Sequence, residues 1–463
     1  MQPPSPTNVL LITIDCLRPD HMSVYGYERP TTPHLDDLAN EGVRFTQAIS
    51  QGPCTRVSFA AMFSSTYPAM SGGFLRLSPQ RTVLAEILRE AGYCTVAFGS
   101  NPYLSPIYGY DKGFETFDSN LVPWIQSHQR RLLKYLNRFF IVARWLLPYL
   151  PASALTAKAA RFLRRHPAAK PWFMWLHYMD VHDPYRPPRR HAAPFRSAKR
   201  PDLSDRALWQ KALSQPEEIS KNERQHLIDL YDAEINFADE QIGRLLMHLQ
   251  RLGSLDSTLV IVTADHGEEF GEHGQFSHRF KLYEELLRVP LIMRLPLGKV
   301  SDHSLAAGQV VTAPVRLLDL APTVLDLLNL GDGPSTLRQS PGQTLLRTGP
   351  FEGASLLPLV EGHDETPRMA ISETQPETGL YSIRQADWKL ILNVHTDAME
   401  LYNLRQDPRE TINCADTVPR IASKLEAALR SHLQRIEASP SSQTEIEVDH
   451  LTMDRLRALG YVE

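Results

Sequence analysis

The sequence has 463 residues, of which 42% are hydrophobic, and its formal net charge is −4. A chain of this length buries a large core and exceeds one small domain, so one large domain and one smaller domain are expected. The weak negative charge argues against a general nucleic-acid-binding protein, which is usually basic. We therefore expect no nucleic acid among its partners.

The cysteines and the start of the chain bear on its compartment. Cys16, Cys54, Cys94 and Cys414 form no C-x-x-C pair, which disfavours a zinc knuckle and a disulfide scaffold. Residues 1–7 are rich in proline and lack the basic region of a signal peptide, and the apolar run that follows is short. These features predict a cytoplasmic protein, or a chain from which a leader has been removed.

Four short apolar runs predict buried parallel strands, because both faces of such strands are covered in an α/β sheet. In chain order these runs lie at residues 9–14, 95–98, 172–176 and 259–263. Helical patterns between them lie at 31–41, 83–91 and 227–252, the last two ending before a glycine. This alternation predicts an α/β fold with a large, mostly parallel sheet and helices on both faces.

The pattern changes after about residue 335. A stretch rich in Gly, Pro and Ser at 331–353 is followed by shorter alternating strands at 379–384, 388–393 and 400–404, and by an amphipathic helix at 418–436. We therefore predict a catalytic α/β domain at 1–335. A smaller C-terminal α+β domain at 336–463 would combine an antiparallel sheet with a packed helix.

Polar side chains follow three of the four predicted parallel strands. The first strand runs into Asp15, the third into His177, Asp180 and His182, and the fourth into Asp265 and His266. Ligands bind beyond the carboxyl ends of the strands in open α/β sheets. Carboxylates and imidazoles together suit a divalent cation. The sequence therefore predicts a metal site at this edge of the sheet.

One long segment carries only basic charge. No Asp or Glu lies between Ser119 and Met179, and ten of the 49 Lys and Arg residues lie within 121–170, interleaved with aromatic and apolar side chains. Two interpretations of this helical insertion are open: a solvated basic face over the sheet, or a contact surface for a lipid, a membrane surface or a large anionic partner. Arg144 and Pro148 interrupt its apolar run, which argues against a transmembrane helix.

Four ordered motifs resemble the sulfatase family of the alkaline-phosphatase superfamily. They read VLLITIDCLRPDHMSVYG from residue 9, PWFMWLHYMDVHDPYRPP from residue 171, TLVIVTADHGEEFGEHGQFSHRFK from residue 258 and ELYNLRQDPRETIN from residue 400. The resemblance implies the superfamily's fold and the cleavage of an anionic ester of sulfate or phosphate. It also implies that Asp15, Asp265 and His266 are metal ligands, and that His182 and His278 contact the sulfuryl or phosphoryl oxygens and assist the leaving group.

The resemblance implies one divalent metal ion, but its identity is open. Some family members have a second Asp directly after the first, where this chain has Cys16. Because Ca²⁺ prefers oxygen ligands, this change favours Mn²⁺, Mg²⁺ or Zn²⁺ without excluding Ca²⁺. A second metal could be held by His177, Asp180 and His182. Alternatively, His177 and Asp180 could orient other ligands.

The chain departs from the family at the nucleophile. Family sulfatases carry C-x-P-x-R, whose Cys becomes formylglycine, followed by two small residues, two apolar residues and Thr-Gly; here the segment reads CTRVSFAAMFSS from residue 54. Counting back nine positions from Ser64 places Thr55 at the nucleophile position, with Val57 for Pro and Phe59 for Arg. Counted from Cys54 the motif fails as well. The formylglycine signal is absent in either register.

A threonine at this position predicts hydroxyl chemistry. Its hydroxyl, bound to the metal ion, would have a lowered pKa and could attack phosphorus or sulfur directly. By resemblance, superfamily members with threonine nucleophiles act on phosphodiesters and related substrates. This favours phosphoryl transfer or hydrolysis by Thr55. The alternatives are a sulfatase proper and a catalytically silent protein that binds an anionic group at the metal.

Further residues are candidates for binding the substrate. Arg56 could clamp the non-bridging oxygens in a bidentate manner, or it could form a structural ion pair. His177 is a further candidate because it comes directly after the third predicted parallel strand. His273 competes with His278 as the histidine that faces the anionic group.

Overall fold

Strands and helices alternate over most of the chain. The computed structural model describes residues 7–71, 74, 76–119, 149–167, 170–197, 200–278, 280–296, 307–331, 351–362, 368–438, 452–453 and 456–457. The strands are β1 Asn8–Ile14, β2 Val43–Ile49, β3 Cys94–Phe98, β4 Thr116–Asp118, β5 Trp172–Tyr178, β6 Thr258–Ala264, β7 Glu269–Phe270, β8 Phe276–Ser277, β9 Arg288–Arg294, β10 Gln309–Val311, β11 Val315–Arg316, β12 Ala370–Glu373, β13 Leu380–Gln385, β14 Trp388–Asn393 and β15 Met399–Asn403. The helices are α1 Pro33–Glu41, α2 Thr55–Ser64, α3 Pro68–Ser71, α4 Leu84–Glu90, α5 Ala152–Arg165, α6 Arg189–Ala192, α7 Asp205–Ser214, α8 Lys221–Arg251, α9 Glu284–Leu287, α10 Leu320–Leu327, α11 Leu357–Val360 and α12 Pro419–Glu437.

The main sheet has the strand order β10-β2-β9-β6-β1-β5-β3-β4, with β11 also paired to β2. Strand β9 runs antiparallel to both of its neighbours, β2 and β6. The other pairings of this sheet are parallel. The expected large, mostly parallel sheet with helices is therefore confirmed.

The four predicted parallel strands are all present, with ends shifted by no more than two residues. Strand β9 was missed, although it lies inside the sheet. It carries Pro290, and a proline argues against a central strand because it cannot donate to the ladder. In the structure the Thr263 hydroxyl donates a hydrogen bond of 2.7 Å to the Pro290 carbonyl. This is a tertiary contact that the local pattern does not reveal.

Strand β1 lies at the centre of the fold. It pairs with β5 on one side and with β6 on the other, and all seven of its residues are buried. Val9, Leu10 and Ile12 have no exposed surface. A strand covered on both faces needs a continuous apolar sequence, which explains why the signal of β1 was strong.

A separate antiparallel sheet follows in the order β12-β13-β14-β15. Leu425 and Leu429 of α12 share a buried apolar cluster with Ile383, Leu390 and Leu401 of this sheet. The expected small sheet with a packed helix is therefore confirmed, although β12 was not predicted. The proposed domain boundary at 335/336 lies outside the described residues and stays a prediction.

The described helices include none that is long and apolar enough to span a lipid bilayer. Most of the basic insertion, residues 120–148, lies outside the described residues, and so does any lipid contact made there. Helix α5 is its described part. Leu155, Ala159 and Leu163 of this helix are buried, whereas Arg161 and Arg164 are exposed. The described part of the insertion therefore agrees with the first interpretation, in which its helix covers the sheet and its basic side chains face solvent.

A buried lysine joins the small sheet to the main domain. Lys389 of β14 is 1% exposed, and its Nζ lies 2.8 Å from Glu410 Oε1 and 3.2 Å from Glu284 Oε1. Burial raises the pKa of Glu410 to about 7, against the opposing effect of the Lys389 charge. Because these groups are removed from water, each charge depends on its partner.

We expect Lys389→Ala to lower the free energy of unfolding by about 3–5 kcal/mol, because it leaves buried carboxylates without their cation. Urea denaturation followed by circular dichroism measures this change. Arg430→Ala is the matched control, since Arg430 pairs with Asp397 at the surface and its side chain is 43% exposed; its loss should cost less than about 1 kcal/mol. Equal losses in the two variants would contradict the role assigned to Lys389.

Candidate functional site

The ends of β1, β5 and β6 meet at one edge of the main sheet. Ile14, the last residue of β1, pairs with Tyr178 of β5 and with Ala264 of β6. Asp15 and Asp265 each follow these paired positions by one residue. Parallel pairing in this register brings both carboxylates to the same edge, as the sequence pattern indicated.

Asp15 is fully buried and held by several donors. Its Oδ2 lies 3.1 Å from His177 Nε2 and accepts a hydrogen bond of 3.0 Å from the Asn101 amide. Burial alone would raise the pKa of Asp15, but the hydrogen bond from His177 and the nearby imidazoles His182 and His266 hold it well below its usual range. Asp15 therefore stays ionised at this edge of the sheet.

Asn101 is a site residue that the sequence analysis missed. It follows β3 by three positions and is 1% exposed. Its position after β3 is a signal of the same kind as those that follow the other three predicted parallel strands. Its amide fixes the orientation of Asp15, as residues behind a metal ligand commonly do.

Asp265 lacks the donors that Asp15 has. It has no exposed surface, and neither of its carboxylate oxygens has a hydrogen-bond partner among the described residues. Burial, followed by the charge of Asp15, raises its pKa. A buried carboxylate without a donor costs several kcal/mol, so this arrangement fits residues that hold a cation.

His266 presents its Nε2 nitrogen to the carboxylate oxygens of Asp15 and Asp265. Its Nδ1 lies 2.9 Å from the Gly267 carbonyl, which can only accept, so Nδ1 carries a proton and Nε2 is the nitrogen available to a metal ion. Nε2 lies 3.4 Å from Thr55 Oγ1, 3.5 Å from Asp265 Oδ2 and 3.7 Å from Asp15 Oδ1. Ligands about 2.1 Å from a tetrahedral ion lie about 3.4 Å apart. The spacing around His266 thus suits a divalent metal.

Cys16 adds a soft donor to this group. Its Sγ lies 3.2 Å from Asp15 Oδ1, and ligand atoms of Asp15, Cys16 and His266 lie within 4.8 Å of one another. From the sequence, Cys16 was expected only to remove an oxygen ligand. A thiol in this place favours Zn²⁺ over Ca²⁺, because soft ligands select the softer ion.

Thr55 and Cys54 differ in what they face. Thr55 is the first residue of α2 and is 2% exposed, and its hydroxyl points at His266 Nε2. Cys54 packs against the apolar cluster of Val57, Ala69 and Phe74, and burial raises the pKa of its thiol. The amide groups at the start of a helix favour negative charge, so the position suits an ionised Thr55 hydroxyl.

The rings of His182 and His278 lie next to each other and close to His266. Their ring centroids are 5.0 Å apart, and that of His278 is 4.5 Å from that of His266. Burial would lower the pKa of His182, but the charges of Asp183 and Asp15 outweigh it and raise the value. Burial, then the charges of His266 and His182, lowers the pKa of His278. The environment thus pushes the two imidazoles toward opposite protonation states.

Gly267 and Glu268 follow His266 and have different contacts. A Cβ on Gly267 would lie 1.9 Å from the Glu285 carbonyl oxygen, so this glycine permits a close approach of two backbones. Glu268 is fully buried, and its Oε1 lies 3.3 Å from His278 Nδ1. Burial raises the pKa of Glu268 to about 7. This carboxyl group was not among the predicted site residues.

Two predicted substrate-binding histidines have contacts of their own. Both ring nitrogens of His177 are engaged, by Asp15 and by the Thr13 hydroxyl at 2.9 Å, so His177 orients Asp15. His273 stacks on Tyr283 with ring centroids 3.5 Å apart, in a group with Glu285 and Glu410 rather than with Asp15. Of the two histidines considered for the anionic group, His278 is therefore the one that the structure places next to His266.

Arg56 and the predicted second metal group have the following contacts. The Arg56 guanidinium lies 4.4 Å from the centroid of Tyr103, which is a cation–π contact, and its role as a clamp stays a prediction. Asp180 Oδ1 accepts a hydrogen bond of 3.0 Å from the Ala152 amide. In the described part of the chain, His182 converges with Cys16 and His278, not with His177 and Asp180.

Comparisons with known proteins agree with this geometry. Residues 7–330 match the family model described as Sulfatase, and residues 271–439 match N-sulphoglucosamine sulphohydrolase, C-terminal. An N-acetylglucosamine-6-O-sulfatase of Bacteroides thetaiotaomicron is 26% identical over 494 residues, covering 88% of this chain and 82% of that protein.

Two solved structures share the fold. One, a complex with its substrate D-glucosamine-2-N,6-O-disulfate, has a TM-score of 0.72 at 22% identity and covers 95% of this chain and 100% of its own. The phosphonate monoester hydrolase of Agrobacterium radiobacter has a TM-score of 0.69 at 21% identity and covers 93% and 96%.

We expect the purified protein to bind one equivalent of a divalent ion, Zn²⁺ or Mn²⁺ more tightly than Ca²⁺, and Asp265→Asn to lose it. Removing one carboxylate from the ligand set weakens the charge that balances the ion. Metal content after dialysis, measured by mass spectrometry, tests this. Cys54→Ala is the control and should retain the ion. Two equivalents of metal bound to the wild type would contradict a single-metal centre. They would indicate a second metal site at Cys16, His182 and His278.

We expect Asn101→Ala to weaken metal affinity by about 10–100-fold without abolishing it, because Asn101 orients Asp15 and is not itself a ligand. Competition with a chromogenic chelator gives the dissociation constant. Asn101→Asp would test charge, since it places a second carboxylate against Asp15. An unchanged affinity in Asn101→Ala would show that its hydrogen bond to Asp15 is dispensable.

Proposed function

We infer the function of this chain from the premise that it belongs to the sulfatase family of hydrolases. We propose that it is a single-metal enzyme that cleaves an anionic ester with Thr55 as its nucleophile, and that phosphodiesters or phosphonate monoesters are preferred to sulfate esters. Asp15, Asp265, His266 and the Thr55 hydroxyl would hold the metal ion. The ion would lower the pKa of the hydroxyl and neutralise charge on the transferred group.

The proposal rests mainly on the position of Thr55. Its Oγ1 lies 3.4 Å from Nε2 of His266, at the start of α2 and beside the donor-free carboxylate of Asp265. Its neighbour Cys54 packs into an apolar cluster instead. A hydroxyl among metal-ligating groups is a nucleophile that needs no prior modification.

In the reaction, the Thr55 hydroxyl releases its proton to solvent, its oxygen forms a bond to phosphorus, and the bond from phosphorus to the leaving oxygen breaks. His182 is suited to donate a proton to the leaving oxygen, because the charges of Asp183 and Asp15 favour its protonated form. A water molecule, or an acceptor alcohol, then attacks the phosphothreonine, the bond from phosphorus to the Thr55 oxygen breaks, and the released Thr55 oxygen takes up a proton from solvent. The neutral His278, next to Glu268, can take the proton of that attacking group.

The chemistry of the nucleophile favours phosphorus over sulfur. A formylglycine hydrate expels sulfate readily, whereas an alkyl sulfate on Thr55 would need another route for its breakdown. A phosphothreonine is open to in-line attack. The runner-up is sulfate ester hydrolysis, which the name of the N-acetylglucosamine-6-O-sulfatase relative supports.

We expect the protein to turn over bis-p-nitrophenyl phosphate or a p-nitrophenyl phosphonate with a higher kcat/KM than p-nitrophenyl sulfate. Assays with Zn²⁺, Mn²⁺ and Ca²⁺ identify the active ion. Thr55→Ala should lower kcat by at least about a thousandfold, because it removes the nucleophile. Cys54→Ala should remain close to the wild type, and Thr55→Ser should retain part of the activity because it keeps a hydroxyl.

Acid quenching followed by peptide mass spectrometry should find a phosphoryl group on the peptide that carries Thr55. If Cys54→Ala abolishes turnover while Thr55→Ala does not, the nucleophile assignment is wrong. The same spectra would then reveal formylglycine at Cys54 and a sulfatase proper. Tight binding of the ion and of phosphate without turnover of any ester would instead indicate a silent binding protein.

A further inference from the structure

The residue after Asp15 has an unusual backbone conformation. Cys16 has a φ angle of +58°, which lies in the left-handed region. Residues with a Cβ atom rarely adopt this region, because the Cβ comes too close to the following carbonyl oxygen. Glycine adopts it readily, and asparagine and aspartate adopt it more often than other residues, but Cys16 is none of these. Tertiary contacts must therefore hold this residue in place.

The conformation of Cys16 decides which groups its side chain contacts. Its Sγ lies 3.2 Å from Asp15 Oδ1 and 3.5 Å from His278 Nδ1. Rotation about the N–Cα bond of Cys16 would move its Cβ, and with it the thiol, relative to β1 and Asp15. The left-handed conformation therefore keeps the thiol between the Asp15 carboxylate and His278.

The hydroxyl of Tyr231 holds this turn at two points. It donates a hydrogen bond of 2.6 Å to the Cys16 carbonyl and accepts one of 2.9 Å from the Arg18 amide. Cys16 and Tyr231 have no exposed surface, so solvent does not reach these contacts. Within the described ranges, no other donor contacts the Cys16 carbonyl. Without the hydroxyl, a buried carbonyl would lose its partner, which is costly.

The ring of Tyr231 is held separately from its hydroxyl. Tyr231 belongs to α8, and the centroid of its ring lies 5.0 Å from that of Phe270 and 5.8 Å from that of Tyr185. The interplanar angles of 62° and 72° describe edge-to-face contacts, which involve the ring alone. Removing only the hydroxyl should therefore leave the ring in place and the turn after β1 without its support.

Arg18 connects the same turn to the segment that carries the other ligands. Its Nη1 donates a hydrogen bond of 2.8 Å to the Glu268 carbonyl and another of 2.8 Å to Glu272 Oε1. Glu268 follows His266 by two residues, so these bonds tie the turn after β1 to the segment after β6. Because Tyr231 holds the Arg18 amide, it acts on the relative position of the two segments that carry the candidate ligands.

We propose that Tyr231 is a positioning residue of the metal centre. Its hydroxyl holds Cys16 in the left-handed conformation, and this places the Asp15 carboxylate and the Cys16 thiol in register with His266. Tyr231 itself contacts neither the ion nor the reacting ester. The inference rests on the proposed function, because it takes Asp15 as a ligand of the metal ion, but it is independent of the nucleophile.

The test determines whether a residue that adopts the left-handed conformation freely makes the hydroxyl unnecessary. Cys16→Gly removes the steric cost of that conformation, whereas Cys16→Ala retains it, and both substitutions remove the thiol. They are therefore matched backgrounds for Tyr231→Phe. The dissociation constant of Zn²⁺ is measured for the metal-free full-length chain in competition with a chromogenic chelator.

We expect Tyr231→Phe to weaken Zn²⁺ binding by at least about tenfold in the Cys16→Ala background, because contacts that orient a ligand commonly contribute about 10–100-fold. In the Cys16→Gly background the loss should be less than about threefold, because glycine needs no support in this conformation.

Tyr25→Phe is the control for the loss of a tyrosine hydroxyl that bonds to backbone. The Tyr25 hydroxyl donates to the Leu291 carbonyl at 3.1 Å and accepts from the Leu291 amide at 2.9 Å, in β9 and not in the turn after β1. We expect it to leave the affinity for Zn²⁺ unchanged in both backgrounds.

The same loss from Tyr231→Phe in both backgrounds, or no loss in either, would overturn the proposal. Circular dichroism shows whether each variant is folded. If Tyr231→Phe prevents folding together with Cys16→Ala but not with Cys16→Gly, the hydroxyl supports the conformation of Cys16 as proposed. Loss of folding in both backgrounds would reject the positioning role, because the hydroxyl would then be required by the fold as a whole.

Turnover of the p-nitrophenyl esters tests the proposed function separately, since the chelator measurement needs no substrate. Full turnover by Thr55→Ala, with a Tyr231→Phe loss confined to the Cys16→Ala background, would reject the Thr55 mechanism and leave the role of Tyr231 intact. Turnover that depends on Thr55, with equal losses in the two backgrounds, would have the opposite meaning.

Discussion

Two buried carboxylates at the ends of neighbouring parallel strands constrain the rest of this site. Asp15 and Asp265 have no exposed surface, and among the described residues only Asp15 has hydrogen-bond donors. Two anions of this kind in a medium of low dielectric constant repel each other and have lost their hydration. A divalent cation would remove both costs at once, and Nε2 of His266, 3.5 Å from Asp265 Oδ2, lies where it could complete a set of ligands. The site makes physical sense as a metal centre.

The residues around this centre serve to keep the ligands in place. Asn101 and His177 hold one oxygen of Asp15, and the Thr13 hydroxyl holds the far side of His177. The Gly267 carbonyl selects the tautomer of His266. Such contacts determine which atoms face the ion, and ligand orientation accounts for a large part of metal affinity. They also explain why fully buried polar groups are tolerated at this edge.

The small antiparallel sheet is part of the same architecture, which is that of the alkaline-phosphatase-like sulfatases. The segment after β6 supplies Asp265, His266 and His278, and its far end is tied to the small sheet. The Tyr283 hydroxyl donates to Glu400 at 2.9 Å, the Glu284 amide donates to Glu410 at 2.6 Å, and Lys389 completes this buried contact. The small sheet thus fixes the position of the segment that carries His278. Among the described residues, the small sheet contributes no candidate metal ligand of its own.

The sequence by itself determined the core strands and the acidic and histidine side chains that follow them at the sheet edge. These features are local: apolar runs mark strands covered on both faces, and a polar residue just past such a run must lie at the sheet edge. Only the tertiary structure decided the rest. The reversed strand β9 and the hydrogen bond from Asn101 to Asp15 join residues far apart in the chain. Their partners are chosen by packing, so no local pattern records them.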